Sequence, residues 1–339
     1  MTNTVKQAAA TAAATAAHAT ALPVGRMRHR RVTLATAGPW IALVAMIIVF
    51  SMFNPRFFTI GNATNILQQA SVLLVLSIGG TFVVLMGSID LSVGSLVSLA
   101  GIAAALVIRD VGEPAVVLVP LLTMLCGAVT GILSAYARLP SFLTTLGMLY
   151  AVNGITLYVT QGAAVGVSPE IAMQTIFNGK LFGVPTIALW AIAIALVAVF
   201  VASKTRFGRF LYAIGGGETV AQLCGVPVAR YKFYAFVVSG MLAGIAGILL
   251  MLRVSGSDPT MGAPLLLPAI AAIVMGGTPL SGGVGGPHRT ILGVLIITIL
   301  QNGMNLASVN PFIQDVVLGA GVIVAVAVNM DRRRLFFVK

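Results

Sequence analysis

Between residues 35 and 329, long apolar runs alternate with short polar breaks. Ten runs, at 35–53, 66–86, 91–108, 115–135, 142–160, 185–202, 233–252, 265–276, 290–306 and 312–329, meet or approach the roughly 20 apolar residues that a membrane crossing needs. The run at 265–276 is the shortest. This pattern predicts an all-α polytopic membrane protein with about ten transmembrane helices.

The most distinctive break is the polar loop 204–232, KTRFGRFLYAIGGGETVAQLCGVPVARYK. Gly215-Gly216-Gly217 reads as a flexible lead-in, and Glu218 to Cys224 as two turns of helix. Gly225 stands at the left-handed C-terminal cap position, and Pro227 blocks continuation. Glu218 falls in the first turn, where the helix dipole favours a negative charge by about 0.3–1 kcal/mol. So short a helix does not hold in water by itself, because nucleation costs more than its few hydrogen bonds return. It needs a docking surface, either the protein's own membrane domain or a soluble partner. Lys204, Arg206, Arg209, Arg230 and Lys232, together with the glycine tether, favour the partner.

Apolar residues make up 58% of the 339 positions and charged residues 8%, far from the roughly 25% charged residues of soluble domains. Mean hydropathy is +1.04. With the N-terminus in the cytoplasm, ten crossings leave only Arg56, Arg109, Lys180 and Arg253 outside and place both termini inside. That asymmetry follows the positive-inside rule and accounts for the net charge of +12 without nucleic acid. Residues 1–34 read as a disordered Ala/Thr-rich cytoplasmic tail with a basic cluster at 26–31. Residues 35–331 read as the transmembrane domain, and 332–339 as a basic cytoplasmic tail. Cys126 in a span and Cys224 in the loop make no disulfide framework and read as structural.

Asp90, in GGTFVVLMGSIDLSVGSLVSLAG, is the one acid at or near a membrane boundary within an apolar run. An ionisable group there is a functional candidate by default. The alternative is local: Ser88, Asp90 or Ser92 caps the helix that follows. Gly87 and Gly94 suit close backbone approach. Residues 161–184 form the longest outside segment, a docking or gating element. Residues 270–289, IAAIVMGGTPLSGGVGGPHR, carry too much glycine and proline for a regular helix and read as a cytoplasmic turn or a partly re-entrant loop. No P-loop signature is present, since Gly179-Lys180 is followed by Leu181.

The remaining polar residues within spans are neutral: Gln68, Gln69, Asn153, Gln301, Asn302 and Asn305. They suit an uncharged polyhydroxylated substrate and equally suit helix-to-helix hydrogen bonds. Asn302 and Asn305, three apart, share a helix face. With Asp90, Ser92 and Asn153 they are the candidate translocation residues. His18, His29 and His288 form no metal-binding or catalytic constellation with cysteine or carboxylate. No cofactor or metal is expected on this chain, and no enzyme.

Four stretches carry a resemblance: MGSIDLSVGS at 86–95, RLPSFLTTLGM at 138–148, FGRFLYAIGGGETVAQLCGVPV at 207–228 and IAAIVMGGTPLSGGVGG at 270–286. Over residues 40–331 the chain resembles the permease subunits of bacterial ATP-binding-cassette importers for ribose and related monosaccharides. The resemblance implies a multi-pass protein of the bacterial cell (inner) membrane, working as a homodimer or paired with a related permease. It implies a cytoplasmic ATPase subunit that holds ATP and Mg, and a periplasmic or extracellular sugar-binding protein. It makes Glu218, Thr219, Val220, Ala221, Gln222, Leu223, Cys224 and Gly225 the coupling helix that contacts the ATPase. The family pattern more often has Asn and two acids after the glycines, and Ala-Ala-Arg-Leu-Ser-Gly beyond them. Glu218-Thr219-Val220, Gln222 and Cys224 depart from it and alter the charge of the contact. Variant substrates such as a polyol, an inositol or a signalling furanose fit the same reading. The rivals are an ion-coupled secondary carrier, which needs coordinating groups near the midplane, and an integral-membrane enzyme.

Overall fold

The computed structural model describes residues 27–329 except Pro169, with the side chains of 27–37, 175, 328 and 329 left aside. Both expected tails therefore lie largely outside the described residues. The chain divides into two units, Met1–Gly38 and Pro39–Lys339. From Met27 onward the chain is helical. Once a helix has nucleated, each added residue gains a hydrogen bond, and Arg, Ala and Leu are good formers.

The helices run α1 (Met27–Phe53), α2 (Ile60–Leu85), α3 (Val93–Asp110), α4 (Val119–Ala135), α5 (Ser141–Thr160), α6 (Ala172–Asn178), α7 (Thr186–Lys204), α8 (Arg206–Gly216), α9 (Glu218–Leu223), α10 (Val228–Val254), α11 (Leu266–Met275), α12 (Pro287–Leu306) and α13 (Pro311–Asn329). Among the described residues, seven helices are long and apolar enough to cross a membrane: Ile60–Leu85, Val93–Asp110, Glu113–Ala135, Ser141–Thr160, Thr186–Lys204, Val228–Val254 and Pro287–Leu306. Shorter apolar helices run Gly38–Phe53, Ala263–Met275 and Pro311–Ala327. All ten apolar segments are thus helical. Helix α11, with 10 residues, rises about 15 Å against a hydrocarbon core of about 30 Å.

Helices α2 and α10 form the centre. From Ala70 to Leu85, α2 is buried on nearly every face, and α10 is buried on most faces from Ala235 to Leu252. Helix α5 is the least buried of the seven. The most extensive pairing joins α4 to α10, and glycine makes it possible. Gly127 and Gly131 on α4 lie against Gly240 and the backbone of Phe233 and Phe236 on α10. A Cβ at Gly127 would overlap Phe236 O, and one at Gly240 would overlap Thr123 O. Without a side chain the two backbones pack directly, as small residues allow in membrane helix pairs. Two buried polar pairs join α2 to α12: Thr81 and Thr290 hydroxyls at 2.7 Å, and Asn62 with Asn302.

One end of the bundle is covered by residues 161–186. Strand β1 (Val165–Gly166) pairs antiparallel with β4 (Gly256–Ser257), with Val165 opposite Ser257; β2 (Lys180–Leu181) pairs with β3 (Val184–Pro185). Glu113 accepts from the free N–H groups of Ala172 (3.0 Å) and Met173 (2.8 Å) at the start of α6. Asn178 Nδ2 donates to Leu252 O at the end of α10 (2.6 Å).

Substituting Gly240→Val forces α4 and α10 apart and costs about 1–3 kcal/mol, the scale of overpacking. Thermal denaturation in detergent should show a lower midpoint. Gly61→Ala, whose added Cβ meets nothing within 4 Å, should leave it unchanged.

Candidate functional site

The polar loop folds as two helices. Thr205 caps α8, its Oγ1 accepting from Gly208 N at 3.4 Å. The buried face of α8 carries Gly208, Leu211 and Ile214. Phe207 meets Phe82 of α2 at 5.6 Å between ring centroids, and Phe210 meets Tyr231 edge-on at 4.8 Å. Gly215 is not a tether. A Cβ there would overlap Leu85 O and Gly283 N, so glycine is needed for close packing, and α8 continues through Gly216.

The glycine-rich segment after α11 supplies the other side of this contact. Gly277, Gly282, Gly283, Gly285 and Gly286 all have positive φ, a conformation that only glycine adopts at little cost. Several of its backbone groups are paired within the protein. Gly283 N donates to Leu85 O (2.9 Å), Gly286 N to Thr278 Oγ1 (2.9 Å), Tyr212 Oη to Gly285 O (2.7 Å) and Arg289 Nη1 to Gly277 O (3.3 Å). Burial pushes the Tyr212 phenol above its ordinary pKa, against the pull of nearby Arg289, so it remains a donor at neutral pH.

Helix α9 follows α8 and packs against α8 and α10. Gly225 has φ +81°, and Val226 N closes onto Ala221 O at 3.0 Å, the capped ending its sequence implies. Ala221 is buried, while Thr219, Gln222, Cys224 and Gly225 are exposed. Lys232 Nζ donates to both oxygens of Glu218 at 2.7 Å. Val220 is 65% exposed and Leu223 83%, and residues three apart lie on one helix face. An apolar pair thus stands uncovered at the tip. Beside it opens a cavity of about 850 Å³ lined by Ser88, Arg138, Glu218, Gln222, Arg230 and Lys232 among others. Three cations against one acid give it a positive field.

Asp90 lies deeper than its place in the sequence suggested. Its Oδ1 accepts from Ser92 N (3.0 Å) and Ser92 Oγ (2.6 Å), and its Oδ2 accepts from Ser239 Oγ (2.8 Å), near the middle of α10. The non-helical segment between α2 and α3 therefore reaches into the bundle, with Met86, Ser88, Asp90 and Ser92 buried. Asp90 organises the turn into α3 and ties it to α10; Ser92, at the N-cap position, makes no side-chain cap bond.

Asn302 exchanges reciprocal amide bonds with Asn62: Asn62 Nδ2 to Asn302 Oδ1 at 3.0 Å and Asn302 Nδ2 to Asn62 Oδ1 at 2.9 Å. Asn305, one turn on, is exposed, and its Oδ1 accepts from Gln314 Nε2 at 2.8 Å. Asn153 on α5 is partly buried. Asn305 lines a second cavity, of about 270 Å³, with Gln69, Arg253, Thr298, Gln301 and Gln314. Sequence reasoning singled out Gln69, Gln301 and Asn305 but not Ser239, Asn62, Tyr212, Thr298 or Gln314. Hydroxyls and amides in apolar runs are the common signal; the partner that each one meets is far away in the chain. Among the described residues no group of three or more His, Cys, Asp or Glu is placed to hold a metal ion.

A family model described as "Branched-chain amino acid transport system / permease component" matches residues 62–326. The chain belongs to this permease family. The ribose import permease protein of Escherichia coli (strain K12) is 39% identical over 315 residues, which is 91% of this chain and 98% of that protein. The ribose import permease protein of Bacillus subtilis (strain 168) is 36% identical over 300 residues, covering 88% and 92%. The D-allose transport system permease protein of Escherichia coli (strain K12) is 32% identical over 297 residues, covering 86% and 90%. No solved structure matches the chain. As a member of a permease family with seven helices of spanning length, the chain is a multi-pass membrane protein and a component of a transport system.

Two outcomes follow for this permease. Tyr212→Phe leaves the Gly285 carbonyl without its donor and costs about 1 kcal/mol, read as a lower thermal midpoint. Asn302→Leu alone leaves Asn62 Oδ1 without its donor and destabilises, whereas Asn62→Leu/Asn302→Leu recovers only part of the loss, because Asn62 Nδ2 also donates to Phe57 O at 2.9 Å.

Proposed function

We propose that the chain is the membrane-spanning permease subunit of an ATP-driven importer and passes a ribose-like monosaccharide inward. A cytoplasmic ATPase subunit would supply the energy, and a periplasmic or extracellular sugar-binding protein would supply the substrate. ATP and Mg belong to the ATPase. The chain acts as a homodimer or beside a related permease in the bacterial inner membrane. The observation that carries this reading is α9, a capped helix held on the bundle with Val220 and Leu223 uncovered.

Orientation follows from charge. Arg138, Lys204, Arg206, Arg209, Arg230, Lys232 and Arg289 border the end that carries α9, whereas Arg56, Arg109, Lys180 and Arg253 belong to the opposite end. The positive-inside rule makes the α9 end cytoplasmic. The positive field of the adjoining cavity suits an acidic rim on the ATPase.

In this reading Glu218 to Gly225 form the coupling helix. ATP binding draws the ATPases together and displaces α9. Because α8 is packed backbone to backbone on Leu85 and Gly283, the displacement passes into α2 and the glycine segment before α12. Packed interfaces switch between discrete arrangements, so the cavity opens to one side or the other by a shift between two states. Asp90 and Ser92 hold the α2–α3 break to α10 during the switch, and Asn302 holds α12 to α2. Asn305 and Asn153 remain available to the pathway.

Sugar rather than amino acid is favoured by the relatives named for ribose and allose. It is also favoured by the polar cavity at Asn305, which offers neutral amides and one cation but no carboxylate for an ammonium group.

The test is co-reconstitution with the ATPase in liposomes, with and without sugar-loaded binding protein. Val220→Asp/Leu223→Asp and Glu218→Arg/Gln222→Arg should each cut stimulated ATP hydrolysis tenfold or more, the scale of losing a buried interface anchor. Undiminished stimulation would remove α9 from the coupling contact. Uptake driven by a pH gradient without ATP would replace the importer with an ion-coupled carrier.

A further inference from the structure

The cavity of about 270 Å³ at the end opposite α9 gathers side chains from four helices: Gln69 of α2, Arg253 of α10, Thr298, Gln301 and Asn305 of α12, and Gln314 of α13. Their hydrogen-bonding capacity is largely unspent. The Thr298 hydroxyl is buried without a partner, and Thr298 is 1% exposed. Among the described residues, Arg253 is half-buried and makes no ion pair or side-chain hydrogen bond, and the amides of Gln69 and Gln301 make none. Only Asn305 and Gln314 bond to one another, at 2.8 Å, and Gln314 also donates to Val309 O at 2.9 Å.

Ser77 Oγ of α2 and Asn178 Oδ1 are also buried without a partner, but each stands away from this cavity's lining, and the polar groups that join the helices are paired. Asn62 with Asn302, Thr81 with Thr290 and Asp90 with Ser92 and Ser239 all have their partners within the protein. A buried polar group without a partner is costly unless something else satisfies it. Here a hydroxyl, two amides and a guanidinium, all unpaired, border the same space.

We propose that this cavity is a stopping site for the sugar in transit, recognising adjacent hydroxyl groups. The proposal rests on the importer reading and adds where this chain holds its substrate. Amides donate to one hydroxyl and accept from the next, and the planar fork of Arg253 donates to two oxygens at once. Thr298 provides a hydroxyl at the buried wall, and Val72, Leu73, Leu250 and Leu265 supply apolar walls for the carbon face of a sugar ring. The site lies beneath the segment 161–186, since Asn178 bonds to Leu252 O and Gln174 Nε2 to Ser255 Oγ (3.2 Å), immediately beside Arg253.

The experiment uses the complete transporter in liposomes, with D-ribose and D-allose as probes and L-leucine for comparison. Sugar uptake and ATP hydrolysis are measured together for Thr298→Val, Thr298→Ser and Gln301→Leu. Thr298→Val should leave the thermal midpoint unchanged or raise it, since it removes an unpaired buried hydroxyl. Sugar uptake should nevertheless fall at least fivefold, with stimulated ATP hydrolysis kept within twofold of wild type. Thr298→Ser should restore uptake, and Gln301→Leu should behave like Thr298→Val.

Normal sugar uptake by Thr298→Val and Gln301→Leu would overturn the site, as would uptake and ATP hydrolysis falling in parallel. Leucine uptake that responds to the substitutions while sugar uptake does not would also overturn it. A wild-type complex that shows no stimulated ATP hydrolysis would instead overturn the importer reading, and it does so before any substitution is made.

Discussion

Backbone N–H and C=O groups inside an apolar bundle have no water to turn to, so wherever the chain leaves the helix the protein itself must satisfy them. This constraint shapes the end of the permease that carries α9. Leu85, where α2 stops, gives its carbonyl to Gly283. The Gly285 carbonyl takes the Tyr212 phenol and the Gly277 carbonyl takes Arg289. Such geometry needs positive φ at several successive positions and a backbone approach that leaves no room for Cβ at Gly215 or Gly283. The density of glycine in 270–289 and at 215–217 therefore has a common origin, since the two stretches are halves of one contact.

The position of α9 depends on that contact more than on α9 itself. Six residues make too few hydrogen bonds to persist alone. The ion pair from Lys232 to Glu218 is short, but the Glu218 side chain is 52% exposed, which limits such a pair to about 0–1 kcal/mol. What fixes the helix is burial of Ala221, the Gly225 cap and its direct continuation from α8. A load applied at Leu223 consequently meets a stiff path into α2 and α12 rather than a slack loop.

The apolar periodicity made the ten helices legible in the sequence, and cap chemistry gave α9 its start, its Gly225 ending and its need for support. These are local signals, and they read correctly because their causes lie within a few residues. The errors were non-local. Gly215 looked like a hinge because nothing nearby in the sequence shows Leu85 and Gly283 pressed against it. Asp90 looked like a boundary residue because its partner Ser239 is 149 positions away. The pairing of Asn302 spans 240 positions, so its engagement with Asn62 could not be read from its own helix. The shortest run, 265–276, became a short helix, α11 at Leu266–Met275, because the glycines that follow end it.

The same distinction separates structural polar residues from those left open for a ligand. In a membrane bundle, amides and hydroxyls look alike in sequence, and each adds little when paired between helices, about 0.6 kcal/mol on average. The useful criterion is whether hydrogen-bonding capacity has been consumed. Asn62, Asn302, Thr81, Thr290, Ser239 and Asp90 have consumed theirs by joining α2, α10, α12 and the α2–α3 break. Gln69, Thr298, Gln301 and Arg253 have not, and they lie on three of the same helices. Joining helices through one set of polar groups while leaving a neighbouring set unpaired allows a single bundle to be both rigid and hospitable to a hydroxylated solute. A shift of α12 relative to α2 and α10 would then alter the spacing of the open set directly, which links the end that carries α9 to the cavity at the opposite end.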